Sequence, residues 1–589
     1  MSSLPAISYR LRPTRPETHL FNVRCTVADP DPAGQRFALP AWIPGSYLIR
    51  DFARHIVSIH AEADGQPVQL RKLDKHTWQA VPVAPGAALS VYCEIYAGDQ
   101  SVRGAHLDCT HAFFNGSSVF LRPLGHERRP CLLDIRRPRG KAYADWRVAT
   151  ALSPADGLPS ADGFGVYYAA DSDELIDHPC ELGTFALASF SACGVPHAVA
   201  VSGGHDCDLT RLTADLQRLC EWQIRFFGEP APMERYLFLV TALGDAYGGL
   251  EHRRSTALLC ARDDLPYPGM KGTPERYRRF LGLCSHEYFH TWNVKRIKPA
   301  AFLPYDLGGE NYTTLLWACE GFTSYYDDLC LLRCGLINSD EWLAMLGETM
   351  DKVLNFAGRK RQSLAEASFD AWIKFYRPDE NAPNAQVSYY SKGALVALAL
   401  DLTLRAGCDG RVSLDDLLRA LWQEYGRKER PLGDDDIRQL AERLSGLDLR
   451  RFFATAIDGT ADLPWRQLLK KFAVRLRCSV SETLPALGAQ WSESGPEVKL
   501  SAVYDGGALQ RAGLSVGDVL LAVDGLRISP TTLKLRLGRL RAGEKITLHA
   551  FCGDELRQFS VRLAAPARDR HQLRRRERAN ALRKAWLGD

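Results

Sequence analysis

The segment Cys284-Ser285-His286-Glu287-Tyr288-Phe289-His290 contains the spacing H-E-x-x-H. On an α-helix advancing about 100° per residue, His286 and His290 stand about 40° apart on successive turns, and Glu287 projects beside them. Two imidazoles so placed bind one metal ion while a carboxylate reaches the water on that ion, which is the chemistry of a zinc hydrolase. A third ligand is required. Downstream, the run LLWACEGFTSYY at 315–326 is long enough for a buried helix and carries one carboxylate, Glu320. Burying a carboxylate without a partner is costly, so Glu320 needs a cation. Zinc on His286, His290 and Glu320 supplies one and leaves a fourth position open for water. The competing reading is a surface helix with a chance histidine pair and a Glu320 satisfied by arginine.

The elements that must hold these groups are legible around them. Thr273-Pro274 reads as an N-cap followed by proline at the first helical position, and Tyr277, Leu281, Cys284 and Tyr288 recur at the helical period. Residues 1–180 form a β-rich domain, with short runs at 19–27, 89–96 and 118–121 separated by Gly, Pro and Asp clusters and no βαβ alternation. A helical period spans 209–227, a strand follows at 235–240, and Asn338-x-x-Glu341 reads as a capping box. We therefore expect a multidomain α+β chain: the β domain at 1–180, a catalytic domain at 181–400, its helical C-terminal part at 401–476, a further module at 477–565 and a basic tail at 566–589. In the module, 498–503 alternates as a strand, and 507–525 combines a short helix, a Gly-Asp turn, a strand and an Asp-Gly hairpin. The tail carries Arg574, Arg575, Arg576 and Arg578 among other bases, with Leu573, Leu582 and Trp586 as a weak apolar stripe. Such a run is usually solvated.

Bulk composition narrows the class. Hydrophobic content of 46% and charged content of 24% are those of a soluble globular protein. A net charge of +4 over 589 residues gives no call for nucleic acid. No apolar run reaches membrane-spanning length, no signal-like apolar segment follows Met1, and the 16 cysteines lack C-x-x-C pairs. These features lead us to expect a cytoplasmic chain with reduced thiols and no membrane span.

Three further segments carry a resemblance. The stretch at 507–525 resembles a PDZ domain, with Leu487-Gly488-Ala489 where the carboxylate-binding loop of that family lies. Together with LPAWIPGSY at 39–47, the continuation TWNVKR at 291–296 and Glu320-Gly321-Phe322, it makes the chain similar to the glycyl aminopeptidase family of zinc metallopeptidases with a C-terminal PDZ domain. The resemblance implies a thermolysin-like catalytic domain with one zinc ion, and an insert at 299–313 lengthens the link between His290 and Glu320. Gly248-Gly249-Leu250-Glu251-His252 resembles a glycine-rich exopeptidase motif in which Glu251 grips the α-amine of the substrate. The paired glycines let that strand approach the peptide. A charge-assisted bond of this kind contributes roughly 1.5–3 kcal/mol. Tyr390, in Tyr389-Tyr390-Ser391-Lys392-Gly393, matches the Y-x-K-G element that donates to the oxyanion; Tyr389 is its adjacent competitor.

The expected reaction is hydrolysis of the N-terminal peptide bond, with Glu287 as general base, on peptides with a free N-terminus and small first residues such as Gly or Ala. The alternatives are a zinc endopeptidase, or a PDZ interaction protein with a vestigial metal site and a peptide or protein ligand.

Overall fold

Alternating burial marks the strands that open the chain. Ile7–Arg15 and Leu89–Tyr96 bury nearly every second side chain, the period of a sheet with one face in the core. The computed structural model describes residues 6–155, 160–492 and 495–588. It divides into two units. The first runs to Asn311 and includes Cys334–Leu336 and Leu421–Leu432; the second takes Tyr312–Arg333, Ile337–Ala420 and the chain from Gly433.

In the first unit, an eight-stranded sheet and two four-stranded sheets build the β-rich part. Its core includes Phe21, Phe37, Trp78, Phe114 and Trp146. The run at 118–121, expected to be a strand, lies instead at a short helix, Gly116–Val119. Asn115 dictates that turn: its side-chain amide donates to the carbonyls of Val102 and Gly104, and its own carbonyl accepts from the Ser118 hydroxyl.

A five-stranded sheet follows. Val195–Ser202, the helix Leu209–Phe227 and Tyr236–Leu243 make a parallel βαβ unit, and Ser255–Ala261 adds parallel to the last strand. The sequence YLFLVTAL of the middle strand is buried along most of its length, as expected where both faces of a parallel sheet are covered. Tyr247–Glu251 pairs antiparallel with Ser255–Ala261 and forms one edge. The helix at 209–227 begins at Asp208, whose carboxylate accepts from the Arg211 N–H. Near its other end, Gln223 donates from its amide to both the carbonyl and the hydroxyl of Ser285. That clamp grips the helix Glu275–Phe289 at the residue before His286.

The second unit is helical first. Leu316–Arg333 and Ser391–Gly407 pack closely because Gly321 and Gly393 meet: a Cβ on Gly321 would lie 2.5 Å from the Gly393 backbone. The Asn338 capping box is formed at the start of Ser339–Leu354. A separate core around Val498, Leu500, Leu520, Leu533 and Leu548 gathers the strands Val498–Val503, Val519–Val523, Lys545–Cys552 and Glu555–Arg562. Asp524 and Gly525 take positive φ in the hairpin turn, as an Asp-Gly pair does.

The basic tail departs from the solvated run expected of it. Arg570–Arg575 pairs as a strand with Val474–Ser479, and Ala581–Leu587 is helical. Trp586 is fully buried and its indole N–H donates to the Tyr325 hydroxyl, while Arg575 pairs with Asp340. All 16 cysteines are free thiols. No described helix is long and apolar enough to cross a membrane.

Candidate active site and metal centre

The histidine helix spans Glu275–Phe289, with Pro274 as its N-cap and His290 as its C-cap. The expected Thr273 cap does not form, since that hydroxyl donates to the Leu336 carbonyl, and proline sits one place before the first helical residue. His286 and His290 present their rings edge to face, with centroids 4.7 Å apart. The Nδ1 of His290 is 2.7 Å from the Asn293 carbonyl. With Nδ1–H donating there, Nε2 carries the lone pair, the tautomer a metal ligand needs. Asn293, which holds the His290 ring, and Gln223, which clamps the helix at Ser285, carry no signal in the sequence.

Two glycines fit against the two carboxylates beside this helix. A Cβ built on Gly249 would lie 2.0 Å from Oε1 of Glu287, and one on Gly45 would lie 2.5 Å from both carboxylate oxygens of Glu251. Gly248 is looser; its Cβ would meet nothing nearer than Arg103 at 3.8 Å. Glu251 is 4% exposed, and its Oε1 has no hydrogen-bond partner among the described residues. A buried carboxylate oxygen in that state is matched to a cationic guest. The 39–47 segment thus has a physical role that sequence reasoning did not assign: Gly45, at φ +97°, forms one wall of the Glu251 pocket.

On the glutamate helix Leu316–Arg333, Glu320 is 2% exposed. His286 and His290 supply two ring nitrogens from a helix of the first unit, and Glu320 is a buried carboxylate on a helix of the second. Two nitrogens and one carboxylate oxygen are a donor set suited to zinc. Within the first unit, ligand atoms of Glu251, Glu287 and His290 all lie within 4.8 Å of one another. A further group, His106, Asp108 and His111, is tied internally: Asp108 accepts from the Thr110 and His111 N–H groups, and His111 meets Glu181.

Tyr390 is the N-cap of the helix Ser391–Gly407 and is partly exposed, whereas Tyr389 is wholly buried. Burial, with the nearby Tyr376 and Glu320, pushes the Tyr389 phenol well above its ordinary pKa. Of the two, Tyr390 has the access that a donor to substrate requires.

Residues 8–184 match the Peptidase M61 N-terminal domain, and residues 279–396 match the M61 glycyl aminopeptidase domain. The chain is 38% identical to the aminopeptidase N family protein from Idiomarina loihiensis, with a TM-score of 0.94 over 99% of this chain and 100% of that one. It also aligns with the M1 zinc metallopeptidase from Deinococcus radiodurans at 16% identity and a TM-score of 0.49, over 78% and 95% of the two chains. No curated protein matches the chain. With both family domains present, and a relative that matches from end to end, the chain belongs to the M61 glycyl aminopeptidase family of metallopeptidases.

Proposed function

We propose that the chain is a zinc-dependent aminopeptidase that removes N-terminal residues, with a preference for small ones such as Gly or Ala. The observation that carries this reading is the pair of imidazoles, His286 and His290, set edge to face on one helix with Glu287 between them in sequence; Glu320 is the third ligand we assign to the metal. Bound there, zinc would supply Lewis acidity toward the attacking water and the scissile carbonyl.

The protein groups have separate tasks. Glu251 anchors the substrate's α-ammonium through its unsatisfied Oε1, which fixes the first peptide bond as the one that reacts. Glu287 takes the proton of the attacking water and hands it to the leaving amine. Gly249 holds the Glu287 carboxylate by leaving no space between it and the edge strand, and Gly248 lets the substrate backbone come close. Tyr390 donates its phenolic hydrogen to the oxygen that becomes negative as the carbonyl carbon turns tetrahedral. The His290 tautomer is fixed by Asn293.

Residues 477–565 are read as the PDZ module, supported by the separate core and the Asp524-Gly525 turn, with a peptide or protein as its ligand.

The test is turnover of an alanine or glycine anilide. Chelation abolishes it, and one equivalent of zinc per chain restores it. Turnover that persists in metal-free protein overturns the assignment. Equal cleavage of free and N-acetylated peptides overturns the exopeptidase part and leaves the endopeptidase.

A further inference from the structure

A cavity of about 500 Å³ opens in the first unit beside the Glu251 pocket. Ile43 and Pro44 line it, just before Gly45, and so does His252, just after Glu251.

Its wall carries five cations and six carboxylates, and most of them are already engaged. Lys295 meets Asp177 at 2.7 Å, and Asp177 also takes the Arg253 N–H and His252. Arg254 pairs with Glu174, and Arg296 donates to the carbonyls of Thr291 and Pro232. Asp171 caps the helix Ser172–Ile176. Among the cations Lys298 is the exception, and among the carboxylates Asp173 and Glu234 take no salt bridge from a described residue, burial raising the Asp173 pKa. Lys298 is 6% exposed, its ammonium sits 4.6 Å from the centre of the Tyr305 ring, and among the described residues no carboxylate salt-bridges it. Arg253 reaches only Glu429, at 3.9 Å, and is 42% exposed.

A nearly buried lysine that lines a roomy cavity without a counter-ion is a cation awaiting an anion. We propose that this cavity binds a small oxyanion, of carboxylate or sulfate and phosphate type, through Lys298 with Arg253 beside it. The electrostatics agree. Burial, then the fields of Arg253 and Lys295, push the Lys298 ammonium down to about 7, against weaker opposition from Asp177 and Asp173. An oxyanion in the cavity restores the charged form. The other titratable groups facing the cavity are Glu234, Glu429, Glu174, Asp171, His178, His252, Arg254 and Arg296.

The test is calorimetric titration of the full chain with sulfate, a dianion throughout the range used, at constant ionic strength. Succinate and acetate serve as parallel probes. We expect saturable binding of one equivalent that weakens about tenfold between pH 6 and pH 8.5, as the lysine loses its proton. Lys298→Gln should remove both the tight site and its pH dependence, and Lys298→Arg should keep binding but flatten the pH profile. Stronger sulfate or stronger succinate binding tells which kind of ligand the site suits. Any binding at the exposed Arg475, Arg477 and Arg574 should be weak and insensitive to Lys298→Gln. No saturable binding by any probe, or unchanged affinity in Lys298→Gln, overturns the proposal.

Discussion

Gly249→Ala is the sharpest perturbation of the proposed chemistry, because it adds one methyl group next to the general base. The new Cβ would stand 2.0 Å from Oε1 and 2.5 Å from Cδ of Glu287, where ordinary contact begins at 3.4 Å. The carboxylate must therefore retreat by more than 1 Å, or the edge strand must move outward by as much. A misplacement of about 1 Å costs roughly 100-fold in rate, or about 2.7 kcal/mol of transition-state stabilisation. The backbone does not resist the change: Gly249 lies in the strand Tyr247–Glu251 and has no positive φ. The loss should fall on kcat, with zinc content and Tm close to those of the parent protein. Gly248→Ala is the contrast, since its Cβ meets no protein atom nearer than 3.8 Å and leaves Glu287 in place: it should keep kcat and raise KM, where the methyl meets the substrate backbone. Steady-state kinetics on an alanine anilide, with metal analysis on the same samples, reads all of this. Full activity in Gly249→Ala, or an equal fall in kcat in Gly248→Ala, would refute the reasoning.

Glu251→Gln should lower kcat/KM for free dipeptide amides about 10- to 100-fold, the worth of a charge-assisted bond, and any residual cleavage of N-acetylated analogues should not change. Gly45→Ala should show the same selective defect with an added loss of stability, since its methyl would collide with the Glu251 carboxylate and its φ is +97°. Asp177→Asn should destabilise the protein by about 3 kcal/mol in urea titrations, because Lys295 would be left buried with its partner neutralised. Burial works to raise the Asp177 pKa, but Lys295 and the His252 hydrogen bond outweigh it and hold it well below 3.8. The folded-state pKa is depressed, so this contribution is complete at neutral pH and is lost as pH falls below about 4; the variant should lack that part of the acid dependence.

What could be read from the sequence was mostly local. The H-E-x-x-H helix, the helix at 209–227, the Asn338 capping box and the strands at 89–96 and 498–503 announce themselves through spacing, because periodicity and caps involve residues a few places apart. The run at 118–121 misled because its apolar residues suit a strand, yet Asn115 diverts the backbone with bonds to Val102 and Gly104. The tail misled because its arginines outnumber its large apolar residues, while the buried Trp586, the strand Arg570–Arg575 and the Arg575–Asp340 pair fasten it. Within the site, residue types named the chemistry, but the fits of Gly45 to Glu251 and of Gly249 to Glu287 join distant segments. No spacing rule encodes them.

The most direct measurement is anomalous diffraction at the zinc edge from crystals of the zinc-loaded protein. The account predicts one peak per chain, within coordination distance of His286, His290 and the carboxylate of Glu320, and clear of Glu251. A peak held instead by Glu251, Glu287 and His290, or a peak that Glu320 does not touch, would contradict it.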